Sequence, residues 1–158
     1  MEPSIRIVGP ELDAKDECEA ILQSVPAWFG IEEALARYVA DTERLPTFAV
    51  QCGLELKGFL TLREHFPKAW EVQCMAVKAD ARRHGHGRAL LRHAEAWLAE
   101  RDVEILQVKT IAMTKDHAPY AETREYYYSM GFTPLEIFPE LWAPHNPCLQ
   151  LVKFLRWH

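Results

Sequence analysis

The chain contains no uninterrupted apolar segment approaching the roughly 20 residues that span a bilayer. Its first residues, Met1-Glu2-Pro3-Ser4-Ile5-Arg6, lack the apolar core of a secretory signal. A cytoplasmic protein with no membrane partner is therefore expected. No Cys-x-x-Cys pair occurs among the four cysteines, Cys18, Cys52, Cys74 and Cys148, which are widely spaced and mostly set in apolar, strand-like contexts. Buried thiols are expected rather than disulfides or a metal site. A basic excess is also missing: 18 Lys and Arg against 23 Asp and Glu leave a formal net charge of -5. That balance argues against a general nucleic-acid binder, which needs a basic surface to displace counterions from phosphates. No repeat, low-complexity segment or interdomain linker interrupts the sequence. At 158 residues, 49% of them hydrophobic, the chain suits one compact domain spanning 1–158.

Against this ordinary background one stretch stands out, Arg82-Arg83-His84-Gly85-His86-Gly87-Arg88, set between an apolar strand pattern and an amphipathic helix pattern. Two glycines at alternate positions let the backbone turn with positive φ and bring successive N–H groups to one side. A following helix N-terminus adds its partial positive charge. Phosphate is the natural guest, and the flanking arginines would strengthen the site through charge-assisted hydrogen bonds. The alternative is an ordinary glycine-containing turn with a solvated basic face.

Periodicity supplies the frame. Ile5 to Val8 reads as a short strand, followed by a helix from about Glu11 to Leu22 and a loop from Ser24 to Gly30. A second helix spans about Ile31 to Asp41, with Ile31, Ala34, Leu35, Tyr38 and Val39 on one face. Thr47 to Cys52 and Leu56 to Arg63 form a hairpin around Gly53, and Trp70 to Val77 is a long, mostly apolar strand. Arg88 to Arg101 is a helix, Ile105 to Thr110 a strand, and Thr123 to Met130 a short helix with Gly131 as its C-cap. Thr133 to Phe138, a Pro-rich loop over Phe138 to Pro147, and Cys148 to Phe154 complete an α/β domain.

This order tests the glycine motif. A Walker phosphate loop needs Gly-Lys-Ser/Thr, whereas Gly87 is followed by Arg88-Ala89. A dinucleotide fingerprint needs a third glycine, and that position is Leu90. Both nucleotide readings lose ground.

Three groups of residues carry a family resemblance. Arg82, Gly85 and Gly87 match the signature Arg/Gln-x-x-Gly-x-Gly/Ala, and Met75-Ala76-Val77 resembles its upstream strand. Tyr126-Tyr127-Tyr128-Ser129-Met130-Gly131-Phe132 resembles a late aromatic-Tyr-x-x-hydrophobic-Gly-Phe helix end. The chain thus resembles, over nearly its whole length, the GNAT superfamily of acyl-CoA N-acyltransferases. Leu106-Gln107-Val108-Lys109-Thr110, Tyr120-Ala121, Thr123-Arg124 and Trp142 with Asn146-Pro147-Cys148-Leu149 point to an uncharacterised branch of it.

The resemblance implies a single-domain GNAT-like α/β fold. Its mixed, mostly antiparallel central sheet would have about six to seven strands flanked by about four helices, with splayed central strands. It implies acetyl-CoA as cosubstrate, its pyrophosphate on the backbone N–H groups of Arg83, His84, Gly85, His86, Gly87 and Arg88. Charge would come from Arg82, Arg83 and Arg88. The pantetheine arm would pair like an extra strand with Met75, Ala76 and Val77, in a gap between Trp70–Val77 and Ile105–Thr110.

Chemistry in this family is direct attack of an amine on the thioester. An alkylamine with a pKa near about 10 is protonated at neutral pH, so a base is required. Glu71 is the candidate base, the alternative being a carboxylate that faces solvent or pairs with a nearby Lys or Arg. Tyr127 matches the family's general-acid tyrosine for the departing thiolate; its alternative is core packing. His84, His86 and His93 lack a convincing third ligand nearby, so no metal is expected. Trp28, Phe29 and Trp142 are candidates for the acceptor wall, each of which could equally cover the core.

The function expected is an N-acetyltransferase acting on a primary amine of a small molecule, with a homodimer compatible with the resemblance. Two alternatives are a protein or peptide N-acetyltransferase and a CoA-binding module without turnover. The Phe138–Pro147 loop argues for a closed, small-molecule site.

Overall fold

The computed structural model describes residues 4–29, 32–114, 118–143 and 145–155. The readings that touch Met1, Glu2, Pro3, Gly30, Ile31 and Pro144 lie outside the described residues there. Among the described residues are seven strands of a mostly antiparallel sheet and five α-helices. The fifth helix, beyond the four expected, is a single turn inside the anticipated Ser24–Gly30 loop. Two compact units divide the chain, Met1–Arg63 with Val72–Arg101, and Glu64–Glu71 with Asp102–His158.

The first unit orders its strands β1-β2-β3-β4. They are β1 (Ile5–Val8), β2 (Thr47–Cys52), β3 (Glu55–Phe66) and β4 (Ala69–Val77), the facing ends of β3 and β4 belonging to the second unit. β1 pairs with β2 through Ile7↔Val50, and β2 with β3 through Ala49↔Phe59, both antiparallel. Helix α1 (Lys15–Gln23) begins at Lys15 rather than Glu11, where Asp16 and Glu17 complement the positive helix terminus and Cys18 N–H donates to Ala14 C=O. Helices α2 (Pro26–Phe29) and α3 (Glu32–Asp41) follow. Cys18, Ile21 and Leu22 of α1 and Val39 of α3 close a buried cluster with Ala49, Phe59, Cys74 and Ala76. Helix α4 (His86–Ala99) packs Trp97 and His93 edge-on against Phe48 of β2, at centroid distances of 5.6 and 4.9 Å.

The second unit orders β5 (Ile105–Ile111), β7 (Asn146–Phe154) and β6 (Thr133–Ala143), with α5 (Ala118–Ser129) preceding β6. All three strands pair antiparallel. Helix α5 starts at Ala118, not Thr123, because Pro119 falls in the first turn, where its missing N–H costs nothing. The buried Arg124 guanidinium donates to Ile111 C=O at 2.8 Å and ties α5 to the end of β5. Most of the expected Phe138–Pro147 loop is instead strand. β6 reaches Ala143, with a register irregularity after Phe138, and β7 resumes at Asn146. As an edge strand β6 tolerates Pro139, which would have broken a central ladder. The loop's support for a closed acceptor site goes with it.

Candidate functional site

In the first unit the glycine segment forms a left-handed turn leading into a helix. A short 3-10 turn (Ala79–Ala81) delivers the chain to an extended Arg82, and Arg83 then takes a φ of 67°. Gly85 caps α4 at φ 80°, ψ 9°, a conformation that favours glycine. No side chain caps this helix start, and Ala89 N–H to Gly85 C=O, at 3.0 Å, closes the first turn. The helix thus begins at His86, not Arg88, and the first-turn N–H groups of His86, Gly87 and Arg88 lie beyond its intrahelical ladder.

Arg82, Arg83, His84 and Gly85 are exposed, and a Cβ at Gly85 would meet nothing within 4 Å. The Arg82 guanidinium stacks over the Trp28 ring at 4.5 Å from its centroid, which holds that cation beside the turn. His86 is buried at the helix start, 5.9 Å from His84 ring to ring, and its Nδ1 is a buried polar atom with no hydrogen-bond partner. Burial, then the neighbouring His84 and Lys57, hold the His86 imidazole below its usual pKa. Open space over a glycine turn, a helix N-terminus, clustered cations and an orphaned ring nitrogen fit a polyanion such as the CoA pyrophosphate.

Upstream, Met75, Ala76 and Val77 form the end of β4. Beside them lies Gly58 of β3, where a Cβ would approach Ala76 O to 2.9 Å and Val77 Cα to 3.3 Å. The strands come this close because position 58 has no side chain.

In the second unit Glu71 is buried, with 6% of its surface exposed, and does not face solvent. Its Oε1 lies 2.6 Å from His65 Nε2 and its Oε2 3.5 Å from Lys109 Nζ. The carboxylate is therefore held from both sides, by β3 and by β5. Cys148 of β7 lies close by: burial pushes its thiol up to about 11, Lys109 opposing that rise and Glu71 adding to it. Tyr127 is the buried member of the three tyrosines, its ring edge-on to Phe132 at 5.4 Å and to Tyr126 at 5.2 Å.

The aromatic acceptor candidates differ. Trp28 and Phe29 are partly buried against the first unit's core, Phe29 edge-on to Tyr38 at 5.8 Å. Trp142, on β6, is 46% exposed. The Lys109 contact is of the kind the alternative for Glu71 anticipated, a pairing with a nearby Lys or Arg, whereas His65 was missed. A signal was present, since Pro67-Lys68 is a two-residue turn that folds β3 back on β4 and brings His65 beside Glu71. Among the described residues no group of three or more His, Cys, Asp or Glu is placed to hold a metal ion.

Comparison with known proteins follows the same lines. No curated protein matches the chain significantly. Among solved structures, a protein from Desulfovibrio desulfuricans assigned to the GNAT family superposes with a TM-score of 0.86 at 13% identity, covering 97% of this chain and 100% of that one. An aminoglycoside 6'-N-acetyltransferase complexed with coenzyme A gives 0.76 at 16% identity, covering 97% and 98%. The ribosomal-protein-S18-alanine N-acetyltransferase of Escherichia coli gives 0.74 at 19%, covering 98% and 96%. At these identities the likeness establishes the fold. The model of the acetyltransferase (GNAT) domain matches residues 38–134, more than half of the sequence and inclusive of the glycine turn and the tyrosine helix. On that match the chain belongs to the GNAT family of acetyl-CoA-dependent N-acetyltransferases.

Proposed function

We propose that this chain, acting as a single acyltransferase domain over residues 1–158, acetylates the primary amine of a small molecule by direct attack within a ternary complex. The observation that carries the donor half is the left-handed Gly85 at the uncapped start of α4, beside exposed Arg82 and Arg83. Backbone N–H groups of residues 83–88 would hold the pyrophosphate, and the guanidinium groups of Arg82, Arg83 and Arg88 would add charge. The edge of β4 at Met75, Ala76 and Val77 would align the pantetheine arm as a strand aligns its neighbour. Bound acetyl-CoA supplies the activated acyl group. The chain itself must manage protons.

Glu71 is the candidate to draw the proton from the acceptor ammonium, directly or through a partner, being buried and held from both sides. Tyr127 would hold a proton at its hydroxyl for the departing thiolate. Trp28, Phe29 and Trp142 remain candidates for acceptor contact.

Thiol release from acetyl-CoA, measured over a panel of free amines and of short peptides, tests this reading. Turnover with free amines is expected. Turnover with peptides alone would replace the small-molecule acceptor with a protein one, and turnover with neither, alongside tight CoA binding, would leave a binding module.

A further inference from the structure

A cavity of about 450 Å³ opens on one face of the second unit, within the size range of small-molecule sites. Its wall is built from side chains that the strand register places on a single face. The antiparallel partners Ile105↔Phe154 and Gln107↔Val152 stand side by side on β5 and β7, and Lys109↔Gln150 continues the row. A register shift between Pro134 and Glu136 leaves Leu135 of β6 as the extra residue, and Leu135 also lines the cavity. Phe66, Ala69 and Trp70 of the β3–β4 hairpin also line it. That hairpin is anchored, because Lys68 C=O accepts from the N–H groups of Glu104 and Ile105, each at 2.9 Å, and Lys68 Nζ pairs with Glu104.

The lining is apolar except at three positions. Gln150 Nε2 donates to Gln107 Oε1 at 2.6 Å, so the two amides partner each other. The third is His65, the same residue that meets Glu71. Glu71 is nearly inaccessible, with 8% of its side chain exposed, whereas the His65 side chain is 34% exposed. A carboxylate can only accept, so its bond to Nε2 places the hydrogen there and leaves Nδ1 as the free base. With Lys109 Nζ 3.5 Å from its second oxygen, the Glu71 carboxylate is fixed in place and set to orient the ring.

We propose that this cavity receives an amine carrying an aromatic or branched aliphatic body, and that His65 Nδ1, oriented by Glu71, takes the proton from its ammonium. The step breaks one N–H bond of the ammonium and forms one on Nδ1, leaving a neutral amine and an imidazolium. His65 is the catalytic residue here, and Glu71 and Lys109 are positioning residues. The inference rests on the acetyl-transfer reading for the chemistry, while the cavity stands on its own geometry. Glu71 on β4 meets His65 directly, Lys109 on β5 and Cys148 on β7 lie beside Glu71, and the Lys68–Glu104 pair sits at the hairpin turn.

The test uses 2-phenylethylamine as probe and ethanolamine as its polar comparison. Wild type should prefer 2-phenylethylamine by roughly 10–100-fold in kcat/KM, the usual scale of discrimination for a small apolar group. Val152→Trp, which fills the cavity, should raise KM for 2-phenylethylamine at least about tenfold and weaken its calorimetric binding alike, with acetyl-CoA affinity intact. His65→Gln should lower kcat about 10²–10³-fold at pH 7 with little change in KM. The deficit should shrink toward pH 10, where the amine loses its proton unaided.

An equal preference for the two amines, or Val152→Trp binding 2-phenylethylamine like wild type, would overturn the cavity. So would Val152→Trp turning a dimer into a monomer with the amine KM unchanged, because the face would then be an interface between copies. A wild-type rate in His65→Gln, or a deficit equal at every pH, would overturn the base. Calorimetric binding of 2-phenylethylamine without acetylation would keep the cavity and sink the acetyl-transfer reading instead.

Discussion

Replacing Gly85 by alanine and by asparagine separates two properties that the glycine turn combines. At φ 80° an L-residue sits in the left-handed region, which costs about 1–2 kcal/mol for alanine and less for asparagine, whose side chain tolerates it. A Cβ there meets nothing within 4 Å, so no steric term adds to this in the free protein. Gly85→Ala should therefore lose about 1–2 kcal/mol, or roughly 2–8 °C in Tm for a chain of this size, and Gly85→Asn should lose less. CoA affinity should follow the opposite order. If the open space over residue 85 is where the pyrophosphate settles, the larger asparagine obstructs it more than the methyl group does. Calorimetric titration with CoA should then show a loss of about tenfold for Gly85→Ala and more for Gly85→Asn. Wild-type CoA affinity in Gly85→Asn would refute the assignment of this turn as the pyrophosphate seat, whatever the Tm values.

Gly58→Ala places a Cβ against backbone that cannot yield, 2.9 Å from Ala76 O, and should cost about 1–3 kcal/mol in chemical denaturation. Tyr127→Phe keeps the ring packing on Phe132 and should leave Tm nearly unchanged while lowering kcat at least about tenfold. An unchanged rate at every pH removes Tyr127 from the acid role. Because the folded-state pKa of His86 is depressed, its contribution to stability is fully present above the ordinary imidazole value of about 6.5 and is lost as pH falls below it. His86→Gln should accordingly flatten the fall in Tm between pH 7 and pH 5, as followed by thermal unfolding at several pH values.

What the sequence revealed followed from local chemistry. Alternate glycines before an amphipathic run state the need for a left-handed turn and a helix start, and Gly85 at φ 80° fulfils it. The apolar stripe Leu90, Leu91, Ala94, Trp97 and Leu98 gave the core-facing side of α4 by its 3.6-residue period; all are buried except Trp97, which is half-buried and packs edge-on against Phe48. Readings that depended on non-local pairing fared worse. Pro139 reads as a loop signal until β6 is known to be an edge strand. The late helix begins at Ala118, with Pro119 in its first turn, rather than at the expected Thr123. At the candidate site, Glu71 stood out alone, since its partners come from 6 residues before it across a hairpin and from Lys109 on β5. The Pro67-Lys68 turn could have marked His65, but no one-dimensional pattern marks a lysine that reaches Glu71 from a separate strand.

The central claim is that this chain moves an acetyl group from acetyl-CoA onto a small amine without an acyl-enzyme. Mass spectrometry after incubation with isotope-labelled acetyl-CoA and 2-phenylethylamine tests it most directly. The account predicts label on the amine nitrogen, one CoA released per amide formed, and an unlabelled protein. Label on the protein with none on the amine would contradict it.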